Sequence, residues 1–311
     1  MNKEIIFELQ SPYRNNFQIN GFTFGQGSPS AAIIGPMRGN EIQQLYICSQ
    51  LIQTLLSLEK KGSISKNHKI LVIPSLNHYA MNIGKRFWTL DNTDINRMFP
   101  GNIEGETTQR IAAGVLEQVS GYTYGIQFAS FYMPGDFIPH VRMMETGYNN
   151  ASLATLFGLK YVFVRTPKLF DKTTLNFNWQ IKGTQAFSLY TNQTDAIDEA
   201  SAKEAVTSIL RFLSRMGIIK YHTHSGYISS SLEDDNLITV HTHTAGIFRS
   251  KVKPGDDVVY QQVLAEILHP YEGNVIAQIL SPTNGVIFFA HSNPLAMENQ
   301  VMFKLIHRQY I

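Results

Sequence analysis

Cysteine is nearly missing: Cys48 is the only one in 311 residues. That excludes an internal disulfide framework and any Cys-x-x-Cys metal or redox motif. Charge is sparse too, with 16% of residues Asp, Glu, Lys or Arg and a formal net charge of +2. A nucleic-acid binder usually carries a dense basic face, so this balance argues against one. Long apolar runs are absent. The run at 286–290 is among the longest and is far too short to span a bilayer. The opening Met1-Asn-Lys-Glu leads into an alternating segment, so no secretory signal is read there, and the cytosol is the expected compartment. What the chain does have is a 43% hydrophobic share, ordinary for a globular protein. Its length suits two domains, or one large domain with an appendage.

Periodicity divides the chain. Residues 4–9 alternate as a strand, Asn20-Gly21 is a turn signal, and Gly25-Gln-Gly27-Ser-Pro29 reads as a loop. Residues 31–34 form a short buried strand ended by Gly35-Pro36. Residues 41–60 have helical spacing, with Ile42, Leu45, Ile47, Leu51, Leu55 and Leu58 near one face. Cys48 lies inside this pattern and reads as a buried apolar residue. Residues 69–74 (KILVIP) are a second strand, 107–119 a helix and 124–128 a third strand. Residues 161–164 and 186–190 are further strands, and 198–216 is a helix stopped by Gly217. This alternation predicts an α/β layer over residues 1–219. From 220 to 311 only short β runs between turns remain, which predicts a small all-β barrel or sandwich.

The tail contains a weak repeat. Gly246-Ile-Phe and Gly285-Val-Ile both open apolar runs, and 263–267 and 302–306 follow them at the same offset. Two similar β units suggest a duplicated half; chance similarity between short β segments is the alternative. A lipoyl-like carrier is excluded because no lysine lies between Lys253 and Lys304.

Three segments carry a family resemblance. The first is Gly35-Pro-Met-Arg-Gly-Asn-Glu41, directly after a strand. The second is Pro74-Ser-Leu-Asn77, then Arg86, then Asp94-Ile-Asn-Arg-Met-Phe-Pro-Gly101. The third is Tyr122-Thr-Tyr-Gly-Ile-Gln-Phe-Ala-Ser130, followed by Pro139-His-Val-Arg142. They resemble the His-Gly-x-Glu loop, the asparagine, arginine and "DLNR-FPG" run, and the Asp-Leu-His strand end of the succinylglutamate desuccinylase/aspartoacylase family. The tail is similar to that family's appended β domain. The resemblance implies a zinc-carboxypeptidase-like mixed sheet with flanking helices. It also implies zinc-dependent hydrolysis of an amide in an N-acyl amino acid or related small carboxylate.

Such a site holds zinc with two histidines and a glutamate and leaves one position open for water. By the resemblance, Glu41 keeps one ligand position. Arg38 and Ala129 stand where the histidines belong, Gln127 where the family has aspartate, and Tyr190 where the general-base glutamate belongs. A guanidinium does not deprotonate near neutral pH. At about 4 Å it would repel a divalent ion by roughly 2–8 kcal/mol. The economical reading is that Arg38 pairs with Glu41 and takes the metal's electrostatic role. The carboxylate-recognition group is retained: Asn96 and Arg97 match carboxylate-binding positions, and Arg86 matches the arginine that polarises the scissile carbonyl. A planar guanidinium grips a carboxylate bidentately. The alternative is that Asp94, Asn96 and Arg97 only stitch a loop together. His140 and Arg142 alternate on an extended segment and share a face; they are candidate substrate groups, with a structural histidine the alternative. A relocated metal site of Glu41, His78 and His140 is conceivable, though no spacing rule supports it.

Separately, His222-Thr-His224 and His241-Thr-His243 are two His-x-His pairs, expected on neighbouring strands of the tail. If those strands paired in register, four imidazoles could bind a metal; a polar strand surface is the alternative. Two functions follow. One is a descendant that keeps an anion pocket, binds a small carboxylate ligand and has lost zinc hydrolysis. The other is an active amidohydrolase. Two unmatched metal ligands and an unmatched base leave enzymatic activity undecided at this level. Ligand identity and the presence of a homo-oligomer are open as well.

Overall fold

The computed structural model describes residues 1–13, 15–148 and 150–307. The first part of the chain runs β1 (Asn2–Leu9), β2 (Phe17–Phe24), β3 (Ser28–Ile34), α1 (Ile42–Lys60), β4 (His68–Ile73), the short α2 (His78–Met81), α3 (Thr107–Val119) and β5 (Tyr124–Phe128). Next come β6 (Gly135–Phe137), β7 (His140–Met144), the short α4 (Ala151–Ala154), β8 (Tyr161–Arg165), α5 (Leu175–Ile181), β9 (Gln185–Tyr190), α6 (Glu199–Arg215) and β10 (Ser230–Leu232). The tail adds β11 (Leu237–His241), β12 (Gly246–Ser250), β13 (Asp257–Val258), β14 (Val263–Leu268), β15 (Val275–Leu280), β16 (Gly285–His291), β17 (Leu295–Ala296) and β18 (Val301–His307).

Nine strands form a mixed sheet in the order β1-β2-β4-β3-β5-β9-β7-β8-β10. Its centre, β4-β3-β5-β9, is parallel, while β2 and β7 flank it antiparallel. Both faces are covered, as a parallel sheet requires. Along β3, Ala31 and Ile33 point into a core with α1 and α6, and Ala32 and Ile34 into a second core with α3 and α5. The helices form where the apolar spacing predicts them. On α1, Ile47, Cys48, Leu51, Leu55 and Leu58 are buried, whereas Ile42 and Leu45 are only half-buried. Gln43 and Gln44 are buried in their place because each finds a backbone acceptor: Asp198 O at 2.8 Å and Ala129 O at 3.1 Å. Gly217 follows α6 at φ +71°, the left-handed position that stops a helix.

Asn20-Gly21 is not a turn. Both residues lie within β2, paired with Ile5 and Glu4. Gly21 serves close packing there: a Cβ would come within 2.6 Å of Ile6 Cδ1 and 2.8 Å of Leu71 Cδ1.

The chain divides into two compact units. The second comprises 131–138, 191–193 and 232–311, which differs from a single cut at 219/220. Residues 220–231 stay with the first unit because their backbone is tied there: Tyr227 N to Gly158 O at 2.9 Å and Ser230 N to Lys160 O at 2.9 Å. The second unit is two antiparallel sheets, β11-β18-β16-β13 with β6 added to β16, and β15-β14-β12-β17. They share one core that includes Phe248, Leu264, Ile267, Ile287, Phe303 and Leu305. The repeat is visible in the pairing. Gly246 and Gly285 each open a strand that pairs antiparallel with the strand beginning near 263 or 302, and a Cβ on either would strike a partner carbonyl, Leu268 O or Ile306 O. Among the described residues no helix is long and apolar enough to cross a membrane.

Candidate functional site

The retained residues gather at the carboxyl ends of β3 and β5, where open α/β sheets place their ligands. Gly35 lets the chain turn off β3. Its N–H donates to Ile73 O at 2.8 Å, and a Cβ there would lie 2.4 Å from Pro74 O. Glu41 caps the start of α1, yet its carboxylate does not cap the helix. It turns back instead, and Oε2 accepts from Met37 N and Arg38 N, both at 3.1 Å. Glu41 is 2% exposed and Arg38 5%.

Arg38 is the hub. Its Nη1 donates to Glu41 Oε1 at 3.1 Å and to Ser130 Oγ at 2.8 Å. Its Nε and Nη2 both donate to Asp94 Oδ2, at 3.2 and 2.8 Å. Ser130 Oγ in turn donates to Glu41 Oε1 in a short hydrogen bond. Asp94 is positioned by its own turn, its Oδ1 accepting from Asn96 N at 3.0 Å. Burial disfavours the Arg38 cation, but the charges of Glu41 and Asp94 and their hydrogen bonds outweigh it, so its pKa stands above the ordinary arginine value. Arg86 is shifted the other way: burial and then the neighbouring Arg38 lower its pKa, with Arg97 adding to this and Glu41 and Asp94 opposing it. Three guanidiniums against two carboxylates leave this cluster one positive charge over, which favours an anion.

Asn96 and Arg97 sit on the short turn Ile95–Arg97. Asn96 Oδ1 accepts from Leu175 N at 3.2 Å, at the start of α5. Arg97 donates to Asn96 O at 3.4 Å and lies 5.8 Å from the Phe170 ring centroid. Asn77 anchors the loop after β4, donating from Nδ2 to Met37 O at 3.3 Å.

A second group lies on β7 and β9. His140 is buried and stacks on Tyr190, with centroids 4.7 Å apart and planes 10° off parallel. Arg142 places its guanidinium 4.4 Å from the Tyr190 centroid and 5.0 Å from that of Phe163. Its Nη1 reaches Tyr190 Oη at 3.5 Å. Ala129, where the family resemblance implies a histidine, contributes only backbone: its N donates to Leu189 O at 3.0 Å, and its O accepts from Gln44.

These residues do not fit a zinc centre. The one carboxylate in a ligand position already accepts from two backbone amides, a hydroxyl and a guanidinium, and a permanent cation stands beside it. Among the described residues no group of three or more His, Cys, Asp or Glu could hold a metal ion. His78 stacks on Phe17 at 4.7 Å and edges Tyr79 at 5.0 Å, so the set of Glu41, His78 and His140 is not assembled. The His-x-His pairs are not on neighbouring strands either. His222 and His224 lie outside any strand in the first unit, where Arg211 Nε donates to His224 O at 3.0 Å. His241 ends β11, whose ladder partner is β18, and His243 lies in the turn beyond.

Sequence reasoning gave Ser130 no role. Its signal was only its place directly after Ala129 at a strand end. The sequence marks Asp94 only as part of the 94–101 motif run, because its grip on Arg38 depends on a contact between residues 56 positions apart.

Comparison with known proteins adds the following. Residues 28–127 match the model of the succinylglutamate desuccinylase/aspartoacylase catalytic domain. A curated N-alpha-acetyl-L-2,4-diaminobutyric acid deacetylase of Halomonas elongata is 28% identical over 88 residues, which cover 28% of this chain and 24% of that protein. The chain thus matches about a quarter of that relative's length. Among solved structures, a succinylglutamate desuccinylase of a Silicibacter species superposes with TM-score 0.83 at 14% identity, covering 98% of this chain and 95% of that one. The product-bound ectoine utilization protein EutE (DoeB) of Ruegeria pomeroyi gives TM-score 0.78 at 17% identity, covering 94% and 90%. At these identities the structural matches establish the fold.

Proposed function

We propose that the protein, whose residues 28–127 match the succinylglutamate desuccinylase/aspartoacylase catalytic-domain model and whose fold matches solved members of that family, binds a small anionic carboxylate ligand, in the cytoplasm, without ordinary zinc hydrolysis. One observation carries this reading: the Arg38 guanidinium joins Glu41, Asp94 and Ser130 at the place where the family resemblance calls for an imidazole. The cation neutralises the buried Glu41 and half-buried Asp94 carboxylates, as the metal would neutralise its ligands. Arg86 and Arg97 then supply the positive charge that a ligand carboxylate answers. No chemical step through a metal is assigned to this site.

Zinc analysis of the purified protein tests the proposal, and the expected result is less than a tenth of an equivalent. Stoichiometric zinc that disappears in Glu41→Ala would overturn it. Thermal shift with small carboxylates should raise the melting temperature in the wild type and not in Arg97→Ala.

A second reading is amide hydrolysis, favoured by the similarity to a deacetylase and by Arg86, Asn96 and Arg97 standing at motif positions. Release of free amine from N-acetylated amino acids, lost in Glu41→Gln, would establish it over the first.

A further inference from the structure

Gln127 is 2% exposed, and its Oε1 meets no hydrogen-bond donor. A buried acceptor without a donor is costly, and native folds keep few of them. Its surroundings are ordered. Gln127 on β5 is level with Ser188 on β9, and Ser188 is level with Arg142 on β7. Side chains level with one another on adjacent strands share a face. The flanking Ile126 and Phe128 point the opposite way, into the core with Phe187 and Leu189. Three polar side chains therefore form a row across the sheet, on the strand that delivers Ser130 to Arg38 three residues later.

A chain of amides fixes the middle of this row. Asn176 Nδ2 donates to Ser188 Oγ at 3.1 Å, Gln180 Nε2 to Asn176 Oδ1 at 3.2 Å, and Thr146 Oγ1 to Gln180 Oε1 at 2.6 Å. The ends of the row are different. At one end is an acceptor without a donor, Gln127 Oε1; at the other is a donor without an acceptor, Arg142 Nε. Their backbones are two strand spacings apart, roughly 10 Å, and Ser188 stands between them. A ligand with an N–H at one point and an oxygen a few bonds away satisfies both.

We infer that Gln127 determines ligand specificity: its Oε1 accepts an N–H from the ligand, while Arg142 Nε donates to an oxygen of the same molecule. This rests on the carboxylate-binding reading above. The family resemblance puts aspartate at position 127. Glutamine keeps the acceptor without the charge, so the group selects a neutral amide N–H and gives no advantage to an ammonium. An ester in place of the amide would set a lone pair against Oε1 and is rejected.

Two minimal probes, N-acetylglycine and its ester counterpart acetoxyacetate, test this by calorimetry on the full chain. The wild type should bind the amide roughly tenfold tighter or more, the scale on which sites built around one hydrogen bond discriminate. Gln127→Leu should bring the two probes to the same affinity, with circular dichroism confirming the fold. If that variant does not fold, the wild-type ratio still decides. Equal wild-type affinities, or a ratio that survives Gln127→Leu, would overturn the role of Gln127 and leave the anion site standing. Binding of neither probe would overturn both.

Discussion

Arg38 sits between Glu41 and Asp94 with 5% of its surface exposed. Its removal therefore leaves two buried or half-buried carboxylates facing each other without a cation. Breaking a buried ion pair from one side costs about 3–5 kcal/mol, so Arg38→Met should lower the unfolding free energy by about that much, measured in urea. Lysine would restore the charge but not the forked contact to Asp94 and Glu41, so Arg38→Lys should recover part of the loss. Two histidines set a pH limit at the same scale. Burial lowers the pKa of His78, and it lowers that of His291 against partial opposition from backbone hydrogen bonds. For both, the unfolded chain takes up protons first as pH falls through the ordinary value of 6.5. Their contribution to stability is complete above that value and is lost on acidification toward the folded-state pKa. Unfolding curves between pH 7.5 and 5 should show this slope, and His291→Gln should reduce it.

Elements are held by termini as much as by apolar faces. The α6 helix begins at Asp198, whose side chain accepts from Ser201 N at 3.1 Å. Asp198→Ala should cost about 0.5–2 kcal/mol, the usual worth of such a cap, read as a drop in melting temperature. The α1 helix has no such cap because Glu41 is committed to Met37 and Arg38, a local stability forgone to shape the site. Within β2, Gly21→Ala should destabilise by about 1–3 kcal/mol, the cost of overpacking, because its Cβ would meet Ile6 and Leu71.

The second unit draws on three stretches of chain, 131–138, 191–193 and 232–311. Its β6 pairs with β16, and Phe131, Phe137, Phe288 and Phe289 interleave their rings within it. A fragment ending at 231 would therefore strand β6 without a ladder partner and expose Phe137. Such a fragment should be recovered as soluble aggregate or not at all in size-exclusion chromatography, whereas the full chain elutes as a defined species. The cut at 219 should fare worse, because it also strips Gly226 from beside the Arg211 guanidinium and takes away Ser225 O, which accepts from Arg215 Nη2 at 2.7 Å.

Sequence alone determined the alternation of strands and helices and the contiguous motif segments 35–41, 74–101 and 122–130, because these signals are local: apolar period, turn chemistry and contiguous spacing. That a guanidinium and a methyl group stand where imidazoles would is what the family resemblance implies. The tertiary structure decided which of these residues meet. The bond from Arg38 to Asp94 spans 56 residues, that to Ser130 spans 92, and the row Gln127, Ser188, Arg142 crosses three strands that are not consecutive in the chain. The order of strands in a sheet is fixed by long-range packing on both faces. No residue window carries it, so the partner of Arg38 and the unpaired oxygen of Gln127 became visible only once the sheet was assembled.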